Sequence, residues 1–206
     1  MQSALLEAMA ERQVSVGSET WQLPPLFLVM ATQNPIEQEG TYPLPEAQLD
    51  RFLLHVNVDY PDSAAETAIL RLARAEAGNE QSATPGELSQ EDIFSARQAV
   101  LDLHMADAVE RYIIELVIAT REPGRYSEQL ERWLDYGASP RASIALDRCA
   151  RAHAWLRGAD FVTPDDVQAV LGDVLRHRLI LSFEAEANGV DADRAIREIQ
   201  EQVPVG

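Results

Sequence analysis

The chain has 206 residues, of which 46% are hydrophobic, and its formal net charge is −17. That hydrophobic content indicates a packed core rather than a disordered or fibrous chain, and the negative charge disfavours nucleic acid and anionic membranes as partners. No apolar run approaches the roughly 20 residues of a membrane span, no signal-peptide pattern opens the chain, and a single cysteine excludes an intrachain disulfide, so we expect a cytoplasmic protein.

The chain opens with a predicted helix and a predicted hairpin. Residues 2–12 place their apolar side chains on one helical face. Residues 14–23 form two short runs of strand-forming residues on either side of Gly17. Glycine accepts the backbone angles of a tight turn, so this pattern predicts a β-hairpin.

Two apolar segments predict strands of a parallel sheet. The run from Leu26 to Ala31 is continuously apolar, which is typical of a strand covered on both faces. The segment from Phe52 to Val58 alternates apolar and polar residues. Two strands and one helix cannot cover both faces of such a sheet, so residues 1–60 are interpreted as the end of a larger α/β domain.

Every periodic segment from residue 61 onward is helical. Four pairs have the spacing of an N-cap residue and the acid at the third helical position: Ser63 with Glu66, Ser89 with Asp92, Asp107 with Glu110, and Thr163 with Asp166. Two helices carry full apolar stripes, made of Val109, Tyr112, Ile113, Leu116 and Val117, and of Val167, Val170, Leu171, Val174 and Leu175. Residues 61–206 are therefore predicted to form a helical bundle, with residues 78–86 as a polar connection.

Two polar residues in the first sixty are candidates for a site. Asn34 follows the predicted buried strand, so its amide would project at the sheet edge where open α/β sheets bind ligands. The alternative is that Asn34-Pro35 only opens a turn. Arg51 follows a short loop and a predicted helical turn, and its alternative is a surface salt bridge with Asp50.

A third candidate, Arg141, is predicted in the first turn of a helix. Ser139 is a good N-cap and Pro140 a favourable first helical residue. A cation at that end opposes the helix dipole, at a cost of roughly 0.3 to 1 kcal/mol, and a bound anion would reverse the penalty. The alternative is a salt bridge to one of the many acidic residues.

Several kinds of site are not expected. All 17 basic residues are arginines, and a Walker A motif needs a lysine that reaches the terminal phosphates. No apolar strand ends in Asp-Glu to hold Mg²⁺, so the chain alone should not complete a phosphoryl-transfer site or hydrolyse ATP. The four histidines lack metal-ligand spacing, and Cys149 lies on an apolar stripe, which predicts a place in the core.

The segment from Phe27 to Phe52, with Ala31-Thr32-Gln33-Asn34-Pro35 and Leu49-Asp50-Arg51-Phe52 at its ends, closely resembles the MoxR family of AAA+ ATPases. The resemblance continues through residues 137–143, 162–167 and 176–179 and covers essentially the whole chain. It implies an α/β remnant of a P-loop AAA+ core, with a hairpin and parallel-sheet strands over residues 1–60, followed by an all-α lid domain over residues 61–206.

The resemblance also implies roles for the three candidates. Asn34 matches sensor 1, which orients the attacking water. Arg51 matches the arginine finger that reaches the ATP of the neighbouring subunit, and Arg141 matches sensor 2, which touches the nucleotide of its own subunit. The hairpin of residues 14–23 matches an insertion before sensor 1.

For the complete protein the resemblance implies ATP and Mg²⁺ as cofactors, a ring that is usually hexameric, and chaperone-like remodelling of partners, one of them a von Willebrand A-domain protein. In the family, Walker A and Walker B precede the helix that begins here near Gln2. An excised fragment, a mispredicted gene start and a natural remnant all remain open. The rival hypothesis is a non-enzymatic, acidic helical interaction module that keeps ancestral ATPase residues.

Overall fold

The structure, a computed structural model, describes residues 7–9, 11–33, 44–78 and 86–205. Its strands are β1 (Gln13–Val16), β2 (Glu19–Gln22), β3 (His104–Met105), β4 (Leu134–Tyr136), β5 (Phe161–Val162) and β6 (Ile180–Leu181). Its helices are α1 (Glu46–Leu49), α2 (Ser63–Ala77), α3 (Gln90–Asp102), α4 (Asp107–Arg121), α5 (Glu128–Trp133), α6 (Pro140–Leu156), α7 (Pro164–Leu175), α8 (Phe183–Ala187) and α9 (Ala192–Gln202), with a 3₁₀ turn at Pro123–Arg125. In these ranges no helix is long and apolar enough to cross a membrane.

The predicted hairpin is confirmed. Strands β1 and β2 pair in antiparallel fashion, with Val14 opposite Trp21. Gly17 opens the turn with a φ of 65°, a left-handed conformation that glycine adopts without a Cβ penalty. The helix predicted over residues 2–12 falls largely outside the described residues, which are helical at 7–9 and 11.

The two predicted sheet strands are wrong for this structure. Residues 26–33 and 52–62 carry no strand, and Leu28 and Val58 are 82% and 90% exposed. A strand needs a neighbour to accept and donate its backbone hydrogen bonds. None of the described strands lies beside either segment. The two apolar segments therefore have no neighbouring strand with which to form backbone hydrogen bonds.

Two of the four predicted helix starts are confirmed. Ser89 and Asp92 form a capping box at the start of α3, in which Asp92 N donates to Ser89 Oγ over 3.1 Å and Ser89 N to Asp92 Oδ2 over 2.9 Å. At the start of α7, Thr163 N donates to Asp166 Oδ2 over 2.8 Å. These local signals fix the first turns by supplying acceptors to free backbone amides.

The other two helices begin one residue earlier than predicted, and the predicted residues do not cap them. The cap of α2 is Asp62, one residue before Ser63, and its Oδ1 accepts from Ala65 N at 2.7 Å. Helix α4 is preceded by Ala106, which has no side-chain oxygen, and Asp107 is its first helical residue. A cap prediction from spacing is therefore correct only to within one residue here.

The hydrophobic core is built from residues between Met105 and Val203. Helix α6 packs on α7 and α4, and α9 closes against α7, α4 and α5. The apolar stripe of α4 is buried as predicted, and so is that of α7 apart from the half-buried Val170. Cys149 lies in this core as expected, and its burial raises the pKa of the thiol to about 11. This unit, residues 104–203, is called the bundle below.

Helices α2 and α3 differ from the bundle because neither contains a buried residue. Helix α3 contacts α6, whereas the apolar Ile69, Leu70 and Leu72 of α2 are exposed. Two short strand pairs brace the bundle: β3 runs parallel to β5, and β4 antiparallel to β6. The domain boundary near residue 60 stays a prediction.

Candidate functional site

Arg141 lies in the first turn of α6, as predicted. Ser139 is the N-cap, and its Oγ accepts from Arg141 N over 3.2 Å, while Pro140 is the first helical residue. The Arg141 side chain is 55% exposed, and its Nη1 lies 3.1 Å from Asp50 Oδ2. The salt-bridge alternative thus describes the contact in this structure. Water screens this pair at the guanidinium, although the Asp50 side chain is only 15% exposed, and this screening limits what the pair contributes to stability.

The start of α6 is fixed by a close approach to the end of α4. Gly137 is required there, because a Cβ at this position would lie 2.2 Å from the backbone oxygen of Thr120. Ala138 N donates to Thr120 Oγ1 over 2.9 Å, and Arg121 Nε donates to Ala138 O over 2.6 Å. These contacts hold the helix terminus that carries Arg141 on a rigid part of the bundle.

Asp50 accepts hydrogen bonds from three side chains of the bundle. Its Oδ2 accepts from Ser139 Oγ at 2.8 Å and from Arg141 Nη1, and its Oδ1 accepts from Arg178 Nε at 3.0 Å. Burial alone would raise the pKa of Asp50, but the hydrogen bonds from Ser139, Arg141 and Arg178 outweigh it and lower that pKa. The carboxylate is therefore charged and is the shared acceptor of the three donors. The contact of Asp50 with Ser139, Arg141 and Arg178 is called the junction below.

Arg178 clamps the chain around Asp50 onto the bundle. Its side chain is 2% exposed. Beside the ion pair, Nη2 donates to Asp50 O over 3.2 Å and to Phe52 O over 2.5 Å, and Nη1 donates to Val174 O and, over 3.4 Å, to Leu53 O. A buried guanidinium is tolerated only where acceptors meet its donors, as they do here.

The neighbours of Arg178 extend this junction. His177 Nε2 donates to Phe52 O over 3.1 Å, and no partner of its buried Nδ1 is found in the described part of the chain. Burial, and then the charge of Arg178, lower the pKa of His177 to about 4. Arg176 Nη1 donates to His55 O over 2.5 Å. The residues from 50 to 55, called the clamped segment below, thus lie along the end of α7.

Neither Asp50 nor Arg178 was predicted from the sequence as a functional residue. Arg178 falls in the run of residues 176–179, but apart from Val174 its partners lie about 125 residues earlier in the chain. Three of those partners are backbone carbonyls, which leave no residue-type signal. Only the apolar surroundings of Arg178 hinted that its charge would need a buried acceptor.

Of the predicted site residues, Arg51 and Arg141 are brought to the same junction. Arg51 follows Asp50 directly, and its backbone N donates to Gln48 O over 3.2 Å. The alternative in which Asp50 pairs with Arg51 is wrong, because the Asp50 carboxylate contacts bundle side chains instead. Across the described ranges no salt bridge to Arg51 occurs. Asn34 lies outside the described residues.

Metal ligands are not grouped in the described residues, where no cluster of three His, Cys, Asp or Glu side chains could hold an ion. What the junction offers instead is positive charge at a helix N-terminus. The Arg141 side chain is 55% exposed there, and it lies at the positive end of the α6 dipole. Such an arrangement suits an anion.

Comparisons with known proteins identify the family of the chain. Residues 1–54 match the family described as "ATPase family associated with various cellular activities (AAA)", and residues 130–199 match the "AAA lid domain". The chain is 42% identical to "Chaperone MoxR1" of Mycobacterium tuberculosis, covering 98% of this chain and 53% of that protein. It is 34% identical to "Protein MoxR" of Methylorubrum extorquens, covering 97% of this chain and 61% of that protein.

A solved structure gives the same result for the fold. A protein of Cytophaga hutchinsonii, described provisionally as an ATPase, superposes with a TM-score of 0.92 at 43% identity, over all of this chain and 62% of that one. The predicted fold class, part of an AAA+ α/β core followed by a helical lid, is thereby confirmed. The chain spans between half and two thirds of the length of these relatives. It belongs to the MoxR family of AAA+ ATPases.

Proposed function

We propose that this chain supplies the sensing residues and the lid of an ATP-driven ring that remodels or assembles partner proteins. Arg141 acts on the nucleotide of its own subunit and Arg51 on that of the neighbour. The observation that carries the proposal is the junction at Asp50, which joins the clamped segment behind Arg51 to the helix that begins with Arg141. The relative named as a chaperone supports the remodelling role.

The position of Arg141 supports nucleotide binding. Its guanidinium is 55% exposed and adjoins a helix N-terminus, where a cation alone is disfavoured by roughly 0.3 to 1 kcal/mol. A phosphate bound by the guanidinium at this positive end of the helix dipole would remove that penalty and gain charge-assisted hydrogen bonds with Arg141. The family relation supports ATP as the source of that phosphate, with Mg²⁺ as its counterion.

The anchoring of the clamped segment supports a role for Arg51 as the finger. A finger stabilises charge that develops in the transition state, so its backbone must be held before the reaction begins. Arg178 holds the carbonyls of the residues on either side of Arg51, Asp50 and Phe52, from a buried position. Hydrolysis itself needs a phosphate loop. We place it before the helix near Gln2, where the family resemblance puts Walker A and Walker B, and the chain alone, with no lysine, should not turn over ATP.

The proposal extends to the assembled protein. The complete ring is cytoplasmic, most simply a hexamer, and a protein with a von Willebrand A domain is among its partners. The acidic surface, with a net charge of −17, makes nucleic acid an unsuitable client because like charges repel.

The test uses a loop-bearing protein, in which the phosphate-loop half taken from the gene upstream, or from a relative, precedes this chain. Arg141→Ala should weaken ATP binding about 10- to 100-fold, the loss expected for a charge-assisted hydrogen bond. The matched control is Arg148→Ala, which removes an exposed arginine from the same helix, about two turns later, and should leave the affinity unchanged.

Either of two results would contradict this proposal. If Arg141→Ala and Arg148→Ala bind ATP equally well, Arg141 only forms its salt bridge with Asp50. If the unmodified loop-bearing protein neither binds nor hydrolyses ATP, the acidic interaction module becomes the better account of the chain.

A further inference from the structure

We propose that Asp50 is a positioning residue that binds Arg141 while the nucleotide site is empty and releases it when a phosphate binds. Through this exchange, nucleotide binding by one subunit affects the position of its Arg51. The inference rests on the proposed function and deepens it. It assigns to Asp50 a role as an internal competitor of the nucleotide.

The three side-chain contacts of Asp50 are unequal, which makes one of them exchangeable. Arg178 is 2% exposed and is held by several further acceptors. Ser139 is the N-cap of α6 and donates its hydroxyl over 2.8 Å. Arg141 is 55% exposed and makes one bond to the carboxylate, over 3.1 Å. Of the three donors, Arg141 is the one that can leave without unpacking the bundle.

The charge balance favours the exchange. The Asp50 side chain is only 15% exposed, but the Arg141 guanidinium is 55% exposed, and water screens the pair there, so we take its contribution as about 1 kcal/mol. A polyphosphate brings several negative charges to the same guanidinium, at the positive end of the α6 dipole. When Arg141 leaves, Asp50 keeps its bonds to Arg178 and Ser139, so the carboxylate is not left buried without a partner.

The consequence for Arg51 follows from its place in the chain. Arg51 follows Asp50 directly in the chain. Arg178 holds the backbone on both sides of Arg51 through Asp50 O and Phe52 O. Loss of the bond between Asp50 and Arg141 therefore affects the same short segment that positions Arg51. The lid of one subunit and the finger that it presents to its neighbour thus share a single carboxylate.

The test is a double-mutant cycle in the loop-bearing protein, with a non-hydrolysable ATP analogue as the probe. Asp50→Asn keeps the shape and one acceptor for Arg178, but removes the charge that competes for Arg141. We expect the analogue to bind up to about 5-fold more tightly, the range of an exposed ion pair, while kcat for ATP falls. In the Arg141→Ala background the same substitution should not tighten binding.

A matched control removes a different carboxylate from the same junction. Asp193 Oδ1 accepts from Arg176 Nε over 3.0 Å, and Arg176 also holds the clamped segment at His55 O. Asp193→Asn should leave nucleotide affinity unchanged. A general loosening of the lid would instead weaken binding and turnover together in both aspartate variants.

A second measurement avoids any Asp50 variant that fails to fold. In the unmodified loop-bearing protein, the ATP analogue should change amide hydrogen exchange over residues 48–53, and it should do so much less in Arg141→Ala. Equal changes in both proteins, or tighter binding by Asp50→Asn in both backgrounds, would overturn the exchange and leave the proposed function intact. Failure of the unmodified protein to bind ATP would overturn both.

Discussion

The bundle and the amino-terminal segments use the same apolar residue types with opposite results. Leu146 in α6 has no exposed surface, whereas Leu28 in the segment after the hairpin is 82% exposed. The helices of the bundle satisfy their own backbone hydrogen bonds and need only neighbouring helices to cover their stripes. A strand needs a second strand even to exist. The difference shows that an apolar pattern predicts burial only where its partner lies in the same chain.

Matched leucine substitutions should give the largest difference in stability between these regions. Leu146→Ala removes a fully buried side chain and should lower the free energy of unfolding by about 2 to 5 kcal/mol through lost burial and a cavity. Leu28→Ala should change it by less than about 0.5 kcal/mol. Chemical denaturation of both variants measures this, and comparable losses would place Leu28 in a core that the exposed fraction does not reveal.

The parts of the fold that could be predicted from sequence are those with local causes. The stripes of α4 and α7 and the capping boxes at Ser89 and Thr163 depend on residues three or four apart, and all were confirmed. The strands predicted at residues 26–31 and 52–58 depend on pairing with other segments, which no local pattern specifies. The sequence therefore predicts the bundle far better than the amino-terminal segments.

The site was predictable to a smaller extent. The place of Arg141 in a first turn follows from Ser139 and Pro140 beside it. The bridge from Arg141 to Asp50 spans 91 residues, and the clamp by Arg178 closes mainly on backbone carbonyls, so neither leaves a pattern in one sequence. Arg51 could be singled out only by resemblance.

A glycine substitution should have a smaller effect and would show how rigidly the bundle holds the site. Gly137→Ala would place a Cβ 2.2 Å from Thr120 O, and we expect a loss of about 1 to 3 kcal/mol, as for an overpacked core. The control is Gly86→Ala, where the added Cβ meets nothing within 4 Å. Thermal unfolding compares the two, and equal melting temperatures would mean that the start of α6 moves freely.

The smallest expected effect is a pH dependence of stability, which arises from His177 at the contact between the bundle and the clamped segment. The folded pKa of His177 is about 4, below its ordinary 6.5, because burial and the charge of Arg178 oppose protonation. The contribution of neutral His177 to the free energy of unfolding is therefore complete above pH 6.5. It is lost as the pH falls toward 4, because the unfolded chain binds the proton more tightly.

We expect this loss to be about 1 kcal/mol, since the ring is only partly buried. His177→Asn should flatten the difference in unfolding free energy between pH 7 and pH 4.5. Asp50 and His55 also face this ring, so His55→Asn serves as the control. An unchanged pH profile in His177→Asn would mean that His177 is not held neutral against the clamped segment.

The most direct test of the central claim is complementation between two defective chains. A loop-bearing subunit with Arg51→Ala should bind ATP but lose about 10³- to 10⁵-fold in turnover, the contribution of a finger to transition-state stabilisation. Mixed with the present chain, which keeps Arg51 and has no lysine for a phosphate loop, it should regain ATP hydrolysis, because each mixed pair completes one site. No recovery, with mixed assembly shown independently by native mass spectrometry, would mean that Arg51 acts within its own subunit or serves only the structure.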